Sequence, residues 1–470
     1  MDLQTRSPSS AVRVVNPAAP NEVVAEIAAT TAEELPAVHG RARAAFDAWR
    51  KVPTVQRVQC LESLFSAIEA AVEEIAASIT REQGKPIRES RAETLKALTE
   101  ARAMAAHAIA VGTAAAASAR PGVRNLIVRR PRGVIGAISP WNFPILTPMR
   151  KIAPALVFGN AIILKPSEFT PTAALIVERL AAEHLPEHLL QVVVGDGRLG
   201  AALCQAGLDG ITFTGSVAVG RQVAAAAAAN LSEVSLELGG KNAAVVNDVD
   251  DMDKAVAAIV GAAMQCAGQR CTAVSRVIVR EEIADGLVAA LKRRCQGLRV
   301  GDGAAEETDV GAITTEAQFR KIAAMVDEGR ASGADLVLGG SAASVEGRPD
   351  GRFFAPTVFD RVRPDMRLAR EEIFGPVISV LRYRTFDEAL RIVNDTPYGL
   401  TSALFSNRND LINRFIDEVK SGMIHINHGT VPDSHMPFGG VGDSGMGSYS
   451  VGASAAAFYT TEHAVYNQYG

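Results

Sequence analysis

The sequence predicts an α/β protein of two domains, each built around a parallel sheet, and three observations support this. The chain has 470 residues, whereas a single hydrophobic core rarely grows beyond roughly 250–300 residues. Strand-like apolar runs alternate with helical segments between residues 133 and 228, an order typical of a parallel sheet covered on both faces. A second alternation begins after Gly240 and continues to Asn394.

The N-terminal part of the chain has a different spacing of apolar residues. Residues 42–49 and 58–80 carry apolar side chains three or four positions apart, so the first hundred residues are expected to be helical. Strands are then expected at residues 125–131 and 133–139. The first of these alternates apolar and polar side chains, and a long strand with an exposed edge usually pairs with a partner chain.

The two alternations contain the strands and helices from which the sheets are predicted. In the first alternation, each strand precedes a helix, giving the pairs 161–164 with 172–182, 190–194 with 199–206, and 210–213 with 219–228. In the second, strands are expected at 243–246, 275–279 and 377–380, and helices at 252–266, 284–292 and 386–394. The Gly-rich segment 346–352 is expected to be a surface loop.

Composition and charge exclude several classes of protein. Apolar residues make up 48% and charged residues 21%, with a net charge of -4, so no basic surface for nucleic acid or anionic membranes is indicated. No signal peptide or transmembrane run is recognisable. The cysteines form no CxxC pair or zinc spacing, so no metal site is expected and a reducing cytoplasm is favoured; they are Cys60, Cys204, Cys266, Cys271 and Cys295.

An acid and a thiol stand at positions where chemistry is plausible. Glu237 ends an apolar strand and is followed by paired glycines, and Cys271 lies 34 residues later in a polar turn. An isolated cysteine is more often a buried structural residue, and an isolated glutamate is more often a solvated charge. The spacing alone therefore does not decide whether Cys271 and Glu237 are catalytic or structural.

Asn142 lies in the heptapeptide Ile138-Ser-Pro-Trp-Asn-Phe-Pro144. Pro140 and Pro144 restrict the backbone on both sides of it. A fixed amide suits an oxyanion hole, where one donor contributes about 3–4 kcal/mol to transition-state stabilisation. The alternative is a structural turn in which Asn142 bonds its own backbone.

Seven segments together resemble the aldehyde dehydrogenase superfamily, and the resemblance runs from about residue 16 to about residue 466. Each segment alone is weak, but they occur in the family's order and near its spacings. They are Pro140-Trp-Asn-Phe-Pro144, Lys165-Pro-Ser-Glu168, Phe213-Thr-Gly-Ser216, Glu237-Leu-Gly-Gly240, Gly268-Gln-Arg-Cys271, Glu371-Glu-Ile-Phe-Gly-Pro376 and Pro437-Phe-Gly-Gly440.

The resemblance implies an NAD(P)-dependent oxidation of an aldehyde to a carboxylic acid. Cys271 would attack the aldehyde to form a thiohemiacetal and then a thioester. Asn142 and the backbone N–H of Cys271 would hold the oxyanion, and Glu237 would activate the hydrolytic water. NAD is the expected cofactor, with NADP as the alternative, because Glu168 would repel a 2′-phosphate. The implied cofactor residues are Ser139, Pro140, Trp141, Lys165, Ser167, Glu168, Gly215, Ser216, Leu238, Glu372 and Phe374.

Several features depart from the family pattern or compete with it. The family often has Lys at the position of Gly442 and Arg-Glu at Ser448-Tyr449, which places local contacts of the C-terminal segment in question. The segment Gly195-Asp-Gly-Arg-Leu-Gly200 matches the GxGxxG fingerprint. Because this family binds its cofactor through the later Phe213-Thr-Gly-Ser216 segment, we interpret residues 195–200 as a structural turn.

The resemblance also implies an architecture. The cofactor-binding domain would comprise residues 1–108 and 132–239, the catalytic domain residues 240–440, and a small β oligomerisation arm residues 109–131 and 441–470. A homodimer or homotetramer is therefore expected.

Four functions stay open on the sequence. The first is oxidation of a small polar or anionic aldehyde, a semialdehyde or hydroxyaldehyde, because Arg150 and Arg270 could bind a carboxylate; Arg150 could instead pair with an acid of the protein. The second is oxidation of an aromatic aldehyde, because the segment 427–436 resembles loops of such enzymes. The third is a CoA-acylating semialdehyde dehydrogenase, which Glu237 disfavours. The fourth is a non-catalytic protein on the same fold.

Overall fold

The computed structural model describes residues 11–469. Within this range the α-helices are α1 (Leu35–Trp49), α2 (Thr54–Ala70), α3 (Val72–Gln83), α4 (Ile87–Ala110), α5 (Leu146–Val157), α6 (Thr172–His184), α7 (Gly197–Cys204), α8 (Val217–Ala229), α9 (Met252–Met264), α10 (Glu281–Gln296), α11 (Glu316–Ala331), α12 (Arg367–Arg370), α13 (Phe386–Asn394), α14 (Asn409–Glu418) and α15 (Ala455–Tyr459).

The strands of the same range form four sheets. They are β1 (Ala11–Asn16), β2 (Ala19–Ala28), β3 (Ala114–Ala116), β4 (Val123–Pro131), β5 (Val134–Ile138), β6 (Ala161–Lys165), β7 (Leu190–Val192), β8 (Gly210–Thr214), β9 (Glu233–Glu237), β10 (Ala243–Val246), β11 (Arg276–Arg280), β12 (Asp335–Leu338), β13 (Thr357–Asp360), β14 (Val377–Tyr383), β15 (Thr401–Phe405), β16 (Met423–Ile426), β17 (Gly445–Gly447) and β18 (Thr460–Gln468).

Two of the sheets are predominantly parallel and have separate hydrophobic cores. The first has the order β17-β9-β8-β5-β6-β7, and the second the order β12-β13-β14-β11-β10-β15-β16. Only the edge strands β17 and β12 run antiparallel to their neighbours within these two sheets. One core packs against β5 and β6, and the other against β10, β11 and β14. These sheets agree with the predicted α/β class.

The N-terminal expectation is wrong for residues 11–28, which form the antiparallel hairpin of β1 and β2 rather than a helix. The expected helix over residues 58–80 is two helices, α2 and α3, separated at Ala71. The third sheet contains β18, β4 and β3. It pairs the two segments that were expected to form the oligomerisation arm, since β4 and β18 run side by side over their full lengths.

The strand order of the first sheet positions the predicted site. The chain leaves β5 for β6 on one side and later returns to β8 on the other side. Ligands of parallel α/β sheets bind at the carboxyl ends of the strands where the order reverses in this way. Residues 139–142 follow β5 and residues 215–216 follow β8, so both predicted segments lie at this edge.

The chain makes a tight bend between α9 and β11. Cys266, Ala267 and Gly268 have φ angles of 56°, 52° and 69°, and a non-glycine residue in this left-handed region costs about 1–3 kcal/mol. Two contacts hold the bend, since the Cys266 N–H donates to Glu89 at 2.8 Å and the Gln269 side chain donates to the Cys266 carbonyl at 3.1 Å. The bend directs the following residues towards the first sheet.

The bend should not tolerate a side chain at Gly268. A Cβ there would lie 2.1 Å from the carbonyl oxygen of Gly375, so we expect Gly268→Ala to lower stability by more than about 1 kcal/mol. The midpoint of thermal unfolding measures this. The matched control is Gly261→Ala within α9, where a Cβ meets open space and alanine is favoured by up to about 1 kcal/mol. Equal midpoints for the two variants would contradict the expectation.

Candidate active site

A cavity of about 1350 Å³, including its open mouth, lies where the carboxyl ends of the first sheet meet the loops that precede the strands of the second. Its lining comes from both halves of the chain. Twelve predicted site residues line it: Pro140, Trp141, Asn142, Arg150, Gly215, Ser216, Glu237, Leu238, Arg270, Cys271, Glu372 and Phe374. Segments that are distant in the sequence therefore meet at one cavity.

A buried ion pair holds the loop that carries Asn142. The Lys85 ammonium lies 2.5 Å from the Glu93 carboxylate, and both side chains are 1% exposed. Lys85 also donates to the Asn142 carbonyl at 2.7 Å. The second Glu93 oxygen accepts the N–H groups of Ile145 and Leu146 at 3.0 and 3.1 Å. Glu93 of α4, together with Lys85 just before α4, thus fixes the position of the loop.

The Asn142 side chain is oriented by the loop that contains the thiol. Its amide nitrogen donates to the Gln269 carbonyl at 2.8 Å. A primary amide carries two N–H bonds, so the second is available to a ligand oxygen in the cavity. The same contact couples the position of Asn142 to that of Cys271.

Cys271 is half-buried against Leu400, Met423, Phe438 and Val451. Its carbonyl accepts the Asn242 amide at 2.7 Å. Burial raises the pKa of the Cys271 thiol to about 11, although the nearby guanidinium groups of two arginines lower it. The group therefore rests as a thiol near neutral pH, and a base is needed to form the nucleophilic thiolate.

Glu237 ends β9 and is 4% exposed. Its Oε2 atom has no hydrogen-bond partner among the described residues, and Ser450 lies close to the carboxyl group. Burial raises the pKa of Glu237 to about 8, and the Lys151 charge opposes this rise. A carboxyl group with such a pKa that lines a cavity can exchange a proton with water near neutral pH.

Lys151 belongs to α5 and was not predicted as a site residue. Its ammonium donates to the hydroxyl groups of Thr212 and Thr214 at 2.9 and 3.0 Å. Burial lowers the pKa of Lys151 to about 7, against the opposing effect of Glu237. The two groups therefore titrate in the same range, where each favours the charged form of the other.

The opposite end of the cavity is built from the loop before β14. Glu372 accepts the Gly240 N–H at 2.9 Å. A Cβ at Gly239 would lie 2.5 Å from a Glu372 carboxylate oxygen, so the paired glycines permit this approach. Phe374 has a φ of 58° and packs edge-on against Trp141, with ring centroids 5.4 Å apart.

The start of α8 presents a helix N-terminus to the cavity. The Ser216 hydroxyl accepts the Val219 N–H at 3.4 Å, and Gly215 donates to the Glu237 carbonyl at 3.0 Å. Leu238 occupies the space above Gly220, where a Cβ would lie 2.5 Å from its side chain. Free N–H groups and the helix dipole at such a terminus suit an anionic group.

The other four predicted cofactor residues lie outside the cavity lining, at the ends of β5 and β6. The Ser139 N–H donates to the Lys165 carbonyl at 3.0 Å, and the Ser139 hydroxyl is buried without a partner among the described residues. Lys165 lies 3.8 Å from Glu168. The Ser167 hydroxyl accepts the Phe169 N–H at 3.3 Å. An orphaned hydroxyl beside a lysine and a carboxylate fits a polar ligand group.

The two predicted substrate arginines are engaged by the protein. Arg150 forms a bidentate pair with Glu100, at 2.6 and 2.9 Å. Pairing with an acid of the protein was the expected alternative to substrate binding. Arg270 donates from Nη2 to the Thr272 hydroxyl at 2.8 Å and to the Thr430 carbonyl at 3.1 Å, and from Nη1 to Gln265. Both arginines line the cavity, but most of their donors are directed into the protein.

Comparison with known proteins identifies the family. The sequence profile described as "Aldehyde dehydrogenase family" matches residues 4–465. The chain belongs to the aldehyde dehydrogenase family. The alpha-ketoglutaric semialdehyde dehydrogenase of Bacillus subtilis (strain 168) is 35% identical over 459 residues, which cover 97% of this chain and 94% of that protein.

Two further similar proteins illustrate the range of this aldehyde dehydrogenase family. The mitochondrial succinate-semialdehyde dehydrogenase of Arabidopsis thaliana is 35% identical over 439 residues, covering 93% of this chain and 82% of that protein. The crystal structure of betaine aldehyde dehydrogenase from Staphylococcus aureus in complex with NAD+ has a TM-score of 0.94 at 30% identity, covering 98% of this chain and 92% of that one.

The departures from the usual aldehyde dehydrogenase pattern lie beside the Pro437-Phe-Gly-Gly440 segment. The Tyr449 ring packs on Gly439, where a Cβ would lie 2.3 Å from it. The Ser448 carbonyl accepts the Ser235 hydroxyl at 2.8 Å. Gly442 has a φ of 60°, so its backbone conformation favours glycine over the lysine often found there.

Several cavity residues of this aldehyde dehydrogenase were missed from the sequence. In the sequence, Lys96 on α4 cannot be distinguished from an exposed helical lysine. Lys151 was missed because the prolines of its segment argued against the helix α5 that carries it. The Phe438 segment was recognised, but its place in the cavity wall was not. The missed lining residues include Lys96, Phe143, Leu146, Lys151, Gln318, Lys321, Val431, Phe438 and Ser450.

Two searches of the described range gave no candidates. Among residues 11–469, no helix has both the length and the apolar character needed to cross a membrane. Over the same residues, no group of three or more His, Cys, Asp or Glu side chains could hold a metal ion.

Breaking the Lys85–Glu93 pair should destabilise the protein. In Glu93→Gln the buried Lys85 charge loses its partner, and the expected cost is about 3–5 kcal/mol. The control is Glu306→Gln, which breaks the exposed pair with Arg91 and should cost less than about 1 kcal/mol. Urea unfolding measures both. A Glu93→Gln midpoint that matches Glu306→Gln would show that the buried pair is not needed.

Proposed function

We propose that this aldehyde dehydrogenase oxidises a small anionic aldehyde, a semialdehyde, to its carboxylate in an NAD-dependent, hydrolytic reaction. The observation that carries the proposal is that Glu237, whose buried Oε2 has no hydrogen-bond partner among the described residues, lines the same cavity as Cys271. A buried carboxylate oxygen without a partner is costly, and a base awaiting a water explains why it is kept.

The proposed chemistry uses three side chains. The Cys271 thiol loses its proton to solvent as its sulfur forms a bond to the aldehyde carbon and the carbonyl π bond breaks, and the Asn142 amide stabilises the oxyanion of the resulting thiohemiacetal. NAD, when bound, supplies the hydride acceptor that makes oxidation to a thioester possible. Glu237 then takes a proton from the water that attacks the thioester carbon, and the carbon–sulfur bond breaks to release the acid.

We propose that the cofactor lies along the edge formed by β5, β6 and β8. Glu372 and Phe374 would border its nicotinamide end, and the N-terminus of α8 its phosphates. Ser139, Lys165, Ser167 and Glu168 would hold its adenosine end, with Pro140, Trp141 and Leu238 alongside. A negative Glu168 favours NAD, since a 2′-phosphate would be repelled. The NAD+ complex of the Staphylococcus aureus relative supports this choice.

The substrate class rests on charge around the cavity and on relatives named for semialdehydes. Arg150 and Arg270 contribute positive charge, although their donors are largely occupied. A second candidate is an aromatic aldehyde, because Phe143 and Phe438 also line the cavity. Glu237 disfavours transfer to CoA, and the shared cavity of Cys271 and Glu237 disfavours a non-catalytic role.

We also propose a homodimer or homotetramer assembled through the sheet of β3, β4 and β18. Ile127 of β4 and Tyr466 of β18 are exposed apolar side chains on this sheet, and an uncovered strand edge invites pairing. A cytoplasmic location is supported by five unpaired cysteines, which suit a reducing compartment.

One assay tests the reaction and its substrate. We expect NADH formation with succinic semialdehyde to exceed that with butanal or benzaldehyde in kcat/KM, to be faster with NAD than with NADP, and to need no CoA. Cys271→Ala should be inactive, while Cys266→Ala keeps activity. A dependence on CoA, or a preference for benzaldehyde, would replace the proposal with the corresponding alternative.

The role of Glu237 predicts a pH profile. Only the deprotonated carboxylate can accept a proton, and burial raises the pKa of Glu237 to about 8, so kcat should increase as the pH rises through this value. In Glu237→Gln this rise should vanish, and a single-turnover burst of NADH should precede a stall at the thioester. Stopped-flow absorbance measures both. A wild-type pH profile in Glu237→Gln would rule out this base.

A further inference from the structure

Among residues 11–469, five basic side chains line the cavity, and their hydrogen-bond donors have different partners. Lys151 donates to two threonine hydroxyls, and Lys321 lies near Glu372 at the cofactor end. Arg150 and Arg270 are almost completely buried and bond to Glu100 or to the thiol loop. Lys96 is the fifth, and its environment differs from those of the other four.

The Lys96 ammonium has donors to spare. It donates to the Pro432 carbonyl at 2.8 Å, and Glu100 lies 3.9 Å away, beyond hydrogen-bond distance. Both Glu100 oxygens are already held by Arg150. An ammonium has three N–H bonds, so two can serve a ligand. The Lys96 side chain is 27% exposed, compared with 10% for Arg150.

The charge around this end of the cavity is positive. Lys96, Arg150 and Arg270 contribute three positive charges, and the buried Glu100 contributes one negative charge. Glu89 also acts on Arg270, but burial raises the pKa of Glu89 to about 7, so its negative charge is only partial near neutral pH. Asp433 also faces Lys96 and partly offsets this excess. An anionic group between Lys96 and the buried arginines would balance the remaining charge.

We propose that Lys96 binds the carboxylate of the substrate and is the residue that selects anionic aldehydes. The inference rests on the proposed function, which it refines by moving recognition from Arg150 to a lysine on α4. The carboxylate would receive two ammonium N–H groups of Lys96 while the Arg150–Glu100 pair stays intact. A sulfonate or phosphonate of similar size offers the same acceptors, whereas a neutral aldehyde offers none.

Lys96 reaches the cavity from a different element than Cys271 does. It lies on α4 beside Pro432, which belongs to the segment after β16, while Cys271 comes from the loop before β11. Phe438 packs on both Cys271 and the Arg150 guanidinium, whose carbon lies 4.1 Å from the ring centroid. A short aliphatic chain would lie against this ring between the thiol and the lysine.

The test compares succinic semialdehyde with butanal, a neutral aldehyde of the same chain length. A hydrogen bond to a charged group contributes about 1.5–3 kcal/mol, so Lys96→Met should reduce the ratio of the two kcat/KM values roughly 10- to 150-fold. Most of the change should be in KM for succinic semialdehyde. Lys96→Arg should restore much of the ratio. Lys292→Met, which removes an exposed lysine of α10, should leave it unchanged.

The outcomes separate this inference from the proposed function. If the wild type prefers succinic semialdehyde and Lys96→Met keeps that preference, the role of Lys96 is overturned while the substrate class stands. If the wild type shows no preference for the anion, both are overturned. A parallel fall in kcat for both aldehydes in Lys96→Met would assign Lys96 a structural role instead. A changed ratio in Lys292→Met would mean that overall charge produces the preference.

Discussion

The buried ion pair of Lys85 and Glu93 is the contact on which the geometry of the site depends. An ion pair removed from water gains little net stability over apolar packing, so its value here is positional. Glu93 fixes the backbone after Asn142, and Lys85 fixes the Asn142 carbonyl. Asn142 in turn bonds the loop that carries the thiol. One pair of charges therefore aligns two loops that are distant in sequence.

Three glutamates of helix α4 hold neighbouring segments in position. Glu89 holds the left-handed bend at Cys266, Glu93 holds the Asn142 loop, and Glu100 holds Arg150. These glutamates recur at intervals of four and seven residues, which places them along one side of the helix. The helix thus presents a row of carboxylates to the backbone and side chains beneath the cavity.

Burial sets the protonation of the reacting groups. It raises the pKa of Cys271 to about 11 and that of Glu237 to about 8, and lowers that of Lys151 to about 7. The thiol and the carboxyl group are therefore largely neutral near pH 7, which avoids the large cost of unpaired charge in an apolar site. The positive charges of the cavity wall belong instead to the arginines and to Lys96 and Lys321.

The sequence allowed the α/β class and the proposed reacting residues of the cavity to be predicted, because both depend on local patterns. The strand–helix alternation marked the parallel sheets, and residues such as Asn142, Glu237 and Cys271 lie in recognisable segments. The hairpin at residues 11–28 was missed because the residues that it contacts are distant in the sequence. The Pro17 carbonyl accepts the N–H of Arg352, and Ala18 packs on Phe353.

Ion pairs inside the protein were equally hard to predict. Arg150 suggested a substrate anion because its partner, Glu100, lies 50 residues earlier in a helix whose polar residues appeared solvated. Lys96 was overlooked for the same reason. Helix α5 was missed because Pro154 is unfavourable in a helix interior, although surrounding contacts bury the whole length of α5 except for part of Arg150.

The pairing of β17 with β9 has a consequence for synthesis of the protein. Gly445 lies opposite Glu237, and Ser444 accepts the N–H of Leu238 at 2.9 Å, so the strand that carries the base is completed by residues made more than 200 positions later. Domains usually fold in order as the chain emerges from the ribosome. Here the edge strand of the first sheet becomes available only when almost the entire chain has been made, and a prematurely terminated product lacks the strand that pairs with the end of β9.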